Sequence, residues 1–237
     1  PPSADHTCLS LRVLRQATTT LDELVSSGTV TAEIAELLRA VVRHRRAFLV
    51  VGGTGTGKTT LLAALLAEVD HGERILCIED TAELQPRHPH VLNLVSRGRN
   101  TEGSGRITMS DLLTQALRMR PDRIIVGEIR GAEVVDLLAA LNTGHEGGAG
   151  TIHANALDEV PARLEALAAL GGLDRTALHS QLAAALDVVI VMRRGPDGRR
   201  VLHQLGLLRG NPVTTQVVWD SHDGEREGYA AFREALT

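Results

Sequence analysis

The chain has 237 residues and a formal net charge of -4, with 25 Lys or Arg set against 29 Asp or Glu, a balance that argues against a general polyanion binder. Hydrophobic residues make up 43%, enough for a buried core in a domain of ordinary size, while the four aromatics, Phe48, Trp219, Tyr229 and Phe232, are too few for the stacking platforms that hold single-stranded nucleic acid. Of the 25 basic residues only Lys58 is a lysine, so arginine serves wherever bare surface charge is needed and the surviving lysine stands out.

In chain order, Thr20-Leu21-Asp22-Glu23 reads as a capping box that opens a short helix, ended by Gly28. Ile34, Leu37, Leu38, Val41 and Val42 recur at helical spacing, and Arg43-His44-Arg45-Arg46 stands at the carboxyl end of that second helix, where the dipole favours cations. Such a basic cluster is either a solvated helix end or a contact with a neighbouring subunit or anionic surface. Short apolar runs follow at residues 48–51, 74–78, 91–95, 123–126, 150–152 and 188–192, separated by helix-like segments at 58–68, 111–118, 132–141, 157–170 and 175–186. Strands without polar alternation, interleaved with helices, predict an α/β fold: a mainly parallel sheet with helices on both faces. Residues 101–106, with Gly103 and Gly105, read as a loop. Beyond residue 193, turns at Gly195-Pro196-Asp197-Gly198 and Gly210-Asn211-Pro212 bound runs at 201–208 and 213–219, which predicts an antiparallel extension.

Cys8 and Cys77 form neither a disulfide framework nor a metal-ligand spacing, so a reducing cytosol is the default and both thiols are expected to be inert. No apolar stretch reaches the ~18 residues that cross a bilayer, and a chain that opens Pro1-Pro2 reads as a piece of something longer.

The chemistry concentrates at Gly52-Gly53-Thr54-Gly55-Thr56-Gly57-Lys58-Thr59, which satisfies G-x-x-x-x-G-K-[ST] between a strand pattern and a helix pattern. Glycines let backbone N–H groups wrap phosphates, the helix N-terminus adds a favourable dipole, Lys58 reaches the β- and γ-phosphates and Thr59 ligates Mg²⁺. Hydrolysis also requires a carboxylate that positions water. Ile124-Ile125-Val126-Gly127-Glu128 has the form of a core strand ending in an acid, which makes Glu128 the first candidate for that role and for the metal. A second acidic strand end carries Asp80 and Glu83. Residues 143–154 form a glycine-rich segment bracketed by His145 and His153, of which at least one is expected to contact the γ-phosphate. No compact His, Cys and carboxylate cluster supplies a protein-only metal cage.

In this order, the P-loop from Gly52 to Thr60, the acidic box from Ile78 to Gln85, the stretch from Ala116 to Gly131 and the histidine box from Asn142 to Ala154 resemble the secretion ATPase superfamily that powers type II and type IV secretion and type IV pili. The nearest likeness is to its tight-adherence (Tad) pilus branch, over roughly residues 8–210. The resemblance implies a RecA-like P-loop NTPase core using ATP and Mg²⁺, and a ring, usually a homo-hexamer, peripheral to the cytoplasmic face of the inner membrane. That ring would act on an inner-membrane platform protein. It implies Glu128 as Walker B acid, Glu83 as the acid near the attacking water, and His145 and His153 as γ-phosphate sensors. Arg118, Arg120 and Arg130 are implied in charge stabilisation or interface pairing, and Arg12 as the remnant of a contact from an amino-terminal domain. The expected division is 1–46 as remnant plus linker helices, 47–210 as motor and 211–237 as tail. The main reading is a motor for pilus assembly or protein secretion; a conjugative DNA motor and a nucleotide-gated scaffold are the alternatives. The acidic charge and scarce aromatics argue against nucleic acid as partner.

Overall fold

The computed structural model describes residues 17–98 and 105–237. Cys8, Arg12 and residues 101–104 of the expected loop lie outside them. Two helices come first, α1 (Leu21–Ser26) and α2 (Ala32–Arg43). The capping box exists as expected: the Thr20 hydroxyl accepts from the Glu23 amide, and the Glu23 carboxylate accepts from the Thr20 amide.

The alternation then unfolds as β1 (Phe48–Val51), α3 (Lys58–Leu66), β2 (Ile75–Glu79), β3 (Val91–Val95), α4 (Met109–Ala116), β4 (Arg123–Ile129), α5 (Glu133–Leu141) and β5 (Ala149–Ile152). After α6 (Val160–Leu170) and α7 (Arg175–Ala185), the chain runs through β6 (Val188–Arg194), β7 (Arg200–Arg209), β8 (Thr214–Asp220), the short β9 (Gly224–Glu225) and α8 (Tyr229–Glu234). One nine-stranded sheet in the order β3-β2-β4-β5-β1-β6-β7-β8-β9 holds them together. Pairing is parallel from β3 to β6 and antiparallel from β6 to β9, which is the sheet and extension that the sequence predicts.

Period-two alternation divides the core between the two faces of the sheet. Phe48 and Val50 of β1 point to one face and join α1, α2 and α3; Leu49 and Val51 point to the other and join α4 to α7. The tail is drawn into the first cluster, because Trp219, Tyr229, Phe232 and Leu236 pack with residues of α1 and α2. Tyr229 fixes that contact by donating its hydroxyl proton to Glu33 Oε1 at 3.0 Å. Residues of the expected segments 1–46, 47–210 and 211–237 thus share one apolar cluster. Among the described residues, no helix is long and apolar enough to cross a membrane.

At the amino edge of the sheet, Arg123 is 1% exposed. Its Nε donates to Glu73 Oε2 at 2.7 Å and its Nη2 to Glu73 Oε1 at 3.1 Å. The same Nη2 reaches the Val42 carbonyl at the end of α2 at 2.9 Å. One guanidinium therefore ties α2, the α3–β2 connection and β4, and the fork geometry of arginine is what permits it.

Candidate functional site

The site is assembled at the carboxyl ends of the parallel strands, where loops leave an α/β sheet. The first loop joins β1 to α3. Gly55 (φ 75°) and Gly57 (φ 97°) adopt left-handed backbone conformations that turn the loop back onto the helix. Gly52 admits nothing larger, since a Cβ there would lie 2.4 Å from the Met192 carbonyl oxygen. Thr56 closes the turn from within by donating to the Gly53 carbonyl at 2.9 Å.

Lys58 is the first residue of α3 and is 8% exposed. Its Nζ donates to the carbonyls of Gly52 and Gly53, both at 2.9 Å, so the ammonium is held over the centre of its own loop. Burial and the nearby Arg130 lower the Lys58 pKa, whereas Glu128 opposes the shift. The lone lysine is thus buried in the chemistry and is not a surface charge.

The second component comes from β4. Between Val126 and Ile129 the register with β5 slips, so β4 carries an extra residue there. Such bulges re-aim side chains next to sites, and here the irregular residues are Gly127 and Glu128. The Gly127 carbonyl accepts from the Thr151 hydroxyl at 2.7 Å, which satisfies that acceptor at the bulge. Glu128 then faces the P-loop. Its Oε2 accepts from Arg130 Nη2 at 2.5 Å. Its Oε1 lies 3.0 Å from His153 Nε2, an ion-pair distance without hydrogen-bond alignment, so among the described residues this buried acceptor meets no hydrogen-bond donor. Burial raises the Glu128 pKa, but the Arg130 bond and the charges of Arg130 and Lys58, joined by His153 at the acid pH where its imidazole is protonated, outweigh it and hold the carboxyl below its ordinary range. His153 follows β5 directly; burial and Lys58 push its pKa down while Glu128 opposes them. A neutral imidazole therefore stands beside an ionised carboxylate at neutral pH.

The third component is the loop after β2. Glu79 is 4% exposed, and its carboxylate accepts the Glu83 amide at 3.2 Å and the Leu84 amide at 3.1 Å, both on Oε1. Burial raises its pKa, against the effect of those amides. Its side chain lies flat on Gly127, where a Cβ would come within 2.6 Å of Glu79 Cγ. Asp80 accepts from the Ser96 hydroxyl at 2.6 Å.

Two cavities result. A cleft of about 660 Å³ runs over the P-loop and is lined by Lys58, Thr59, Glu128, His153 and Arg200 among others. Beside it a pocket of about 40 Å³ is enclosed by Thr59, Glu79, Asp80, Glu83, Glu128 and Arg130, room for water held among oxygen ligands. Those donors, a hydroxyl and carboxylates, suit a hard cation such as Mg²⁺ and not a soft one. Among the described residues no group of three His, Cys, Asp or Glu could hold a metal by itself.

The structure therefore brings Lys58, Thr59, Glu83, Glu128, Arg130 and His153 together. Gly52, Gly53, Thr54, Gly55, Thr56, Gly57 and Thr60 form the loop and the first turn beneath them. Three expected members are not there. His145 precedes β5 whereas His153 follows it, so the strand, roughly 13 Å long at ~3.3 Å per residue, separates them. His145 stands at the amino edge with Nδ1 3.3 Å from the Ala140 carbonyl oxygen. Arg118 likewise precedes β4, in a single 3-10 turn (Leu117–Met119), and is exposed at the same far edge. Arg120 follows it there with φ 53°.

Residues that sequence reasoning passed over are Glu79, Thr151 and Arg200. Glu79 was visible within the acidic box, but nothing in the sequence says that it faces inward. Arg200 sits 145 residues from Gly55, to whose carbonyl its Nε donates at 3.0 Å, and no local pattern marks it.

The chain is similar to known proteins over most of its length. A family model described as "Type II/IV secretion system protein" matches residues 1–208. A Mycobacterium tuberculosis H37Rv protein named "Putative conjugal transfer protein Rv3659c" is 58% identical over 238 residues, covering 100% of this chain and 68% of the relative. The conjugal transfer protein TrbB of Rhizobium radiobacter is 34% identical over 231 residues, covering 94% of the chain and 69% of TrbB. Among solved structures, the VirB11 ATPase of the Brucella suis type IV secretion system, in complex with sulphate, is similar at TM-score 0.63 and 28% identity, over 91% of this chain and 56% of that one. The pilus retraction motor PilT with bound ADP is similar at TM-score 0.61 and 25% identity, over 94% and 58%. The chain thus spans just over half the length of these two solved structures.

Proposed function

This chain belongs to the type II/IV secretion system protein family, and from that premise we propose that it binds and hydrolyses ATP with Mg²⁺ as a motor for pilus assembly or protein secretion. The observation that carries the hydrolytic reading is Glu128: an ionised carboxylate with one buried oxygen that no described residue satisfies, facing the lysine and threonine of a P-loop. The loop amides and Lys58 bind and orient the phosphates. Arg130 holds Oε2, which leaves Oε1 to orient a water toward the γ-phosphate and to take its proton. Glu83 and Asp80 close the small pocket in which that water is retained. His153, kept neutral, senses the γ-phosphate from the β5 side. Thr59 and Glu128, with the phosphates of the substrate, would share the Mg²⁺, which supplies charge neutralisation at the transferring group.

The larger assembly follows from the resemblance of the four motifs. In this reading the protein works as a homo-hexameric ring, peripheral to the cytoplasmic face of the inner membrane, against a platform protein, in the manner of the Tad branch. Arg118, exposed at the edge of the sheet away from Lys58, is assigned to pairing between neighbouring copies. The segments 1–46, 47–210 and 211–237 keep their proposed roles as linker, motor and tail.

Lys58→Ala is expected to abolish ATP binding, whereas Glu128→Gln retains binding and loses turnover, measured by calorimetry and phosphate release on the native-length protein. Full turnover in Glu128→Gln removes that residue from catalysis and shifts the role to Glu83. A second reading, a DNA-transfer motor, is favoured by the names of the M. tuberculosis and R. radiobacter relatives. DNA binding that weakens with salt, together with ATPase stimulation by DNA, would select it over secretion.

A further inference from the structure

The face on which Glu128 emerges is not the one that regular pleating of β4 dictates. Successive residues of a strand point to opposite faces, and β4 begins that way: Ile124 and Val126 lie in the cluster of α4 to α7, and Ile125 lies in the cluster of α1, α2 and α3. Continued unbroken, that alternation puts Glu128 on the face of Val126, away from α3 and the P-loop. Ile129, three residues on from Val126, instead returns to the α4 to α7 cluster, opposite Ile152 of β5. A slip of one residue exchanges the two faces of a strand, and the bulge between Val126 and Ile129 is that slip. It brings Glu128 into the cleft with Lys58 and His153.

The bulge is held from β5. Gly150 pairs with Val126 and Ile152 with Ile129, so Thr151 is the one residue of β5 that stands opposite Gly127 and Glu128. It is 1% exposed, in a strand whose four residues are all buried, and its backbone is paired on the other side with Val50 of β1. Ala149 belongs to the cluster of α1, α2 and α3, so Thr151, two residues further, shares the α3 face and lines the cleft. From this fixed position its hydroxyl donates to the Gly127 carbonyl at 2.7 Å. That carbonyl lies in the same rigid peptide plane as the Glu128 amide. Glycine at 127 leaves the orientation of the plane unrestrained by any side chain of its own, and the Thr151 hydroxyl supplies the restraint.

We propose that Thr151 is the positioning residue for Glu128: by holding the Gly127 carbonyl it orients the peptide that leads into Glu128 and keeps the carboxylate on the P-loop face. The proposal rests on the catalytic reading of Glu128 above and deepens it. Threonine suits the task because one branch of its side chain donates the hydrogen bond while the methyl fills the packed strand.

The test separates the hydroxyl from the packing. Thr151→Val keeps the shape and loses the donor, whereas Thr151→Ser keeps the donor and loses the methyl. Single-turnover phosphate release, ATP affinity and Tm are measured on the native-length protein and on both variants. Thr151→Val is expected to release phosphate about 10–100-fold more slowly, the effect of a catalytic group displaced by ~1 Å, with ATP affinity within twofold. Thr151→Ser is expected to stay within about threefold of the parent rate, although its Tm falls too. Equal rates for the two variants, or losses that simply follow their Tm values, overturn the proposal. In a Glu128→Gln background Thr151→Val is expected to add less than twofold, because the group it aims is already disabled; a full further loss also overturns it. Should Thr151→Val not fold, Thr151→Cys, the size of serine but a weak donor, takes its place, and a rate equal to that of Thr151→Ser counts against the proposal. Full turnover in Glu128→Gln removes the catalytic reading and this one with it, whereas an inactive Glu128→Gln beside a fully active Thr151→Val removes this one alone.

Discussion

Gly127→Ala tests whether the acidic loop is positioned through β4. A Cβ at residue 127 would lie 2.6 Å from Glu79 Cγ, 3.0 Å from Oε1 and 3.2 Å from Cδ. The near atom is not the far end of a flexible chain, and the carboxylate beyond it is held by the Glu83 and Leu84 amides. Overpacking of this kind costs about 1–3 kcal/mol, and replacing glycine by alanine in a strand returns roughly 0.5–1 kcal/mol. The net loss is about 1–2 kcal/mol, which for a chain of this size lowers Tm by roughly 2–8 °C. The functional effect is larger, because Glu79 must move and take the Glu83 loop with it, and a displacement of ~1 Å at a catalytic group costs on the order of 100-fold. Phosphate release at saturating ATP should fall about 10–100-fold while ATP affinity, set by the untouched P-loop, stays within twofold. In a Glu79→Ala background the space is already open, so Gly127→Ala should add little; residues in contact are non-additive. The reasoning fails if Gly127→Ala leaves turnover within twofold, or if its loss adds in full to that of Glu79→Ala.

Two further outcomes are expected away from the site. Arg123→Met leaves Glu73 buried with only the more distant Arg45 at 3.5 Å, while the Val42 carbonyl keeps the Arg45 amide at 3.1 Å, so denaturant unfolding should show a loss of about 3 kcal/mol from the unpaired carboxylate. Adding Glu73→Leu should recover most of that loss, and a double variant no more stable than the single one would count against the pair. Burial pushes the Cys77 thiol far above its ordinary range, so iodoacetamide at pH 8 should label it only at the rate of global unfolding. Rapid labelling of Cys77 in the folded protein would contradict the packing of β2 against α3.

The sequence reveals most where chemistry and backbone requirements fall on the same few residues. The P-loop is legible because the glycines, the lysine and the strand–helix context are contiguous, and the parallel sheet because doubly covered strands are apolar without alternation. Trp219, Tyr229 and Phe232 fall in the segment expected as a tail, and they pack in the α1–α2 cluster; that burial depends on where β8 ends in the sheet, which no local pattern encodes. The two histidines show the same limit more sharply. His145 and His153 look alike in sequence, each beside glycines and an apolar run, and the difference is only that one precedes β5 and the other follows it. In a parallel sheet every loop that follows a strand opens at the same edge, so polarity alone sends His153 to the P-loop with Glu128 and Glu79 and sends His145, Arg118 and Arg120 to the opposite edge. Arg200 obeys the complementary rule. Its strand is antiparallel to β6, so a residue at the start of β7 shares the edge reached at the end of β6, and this is why an arginine far from every motif arrives on Gly55.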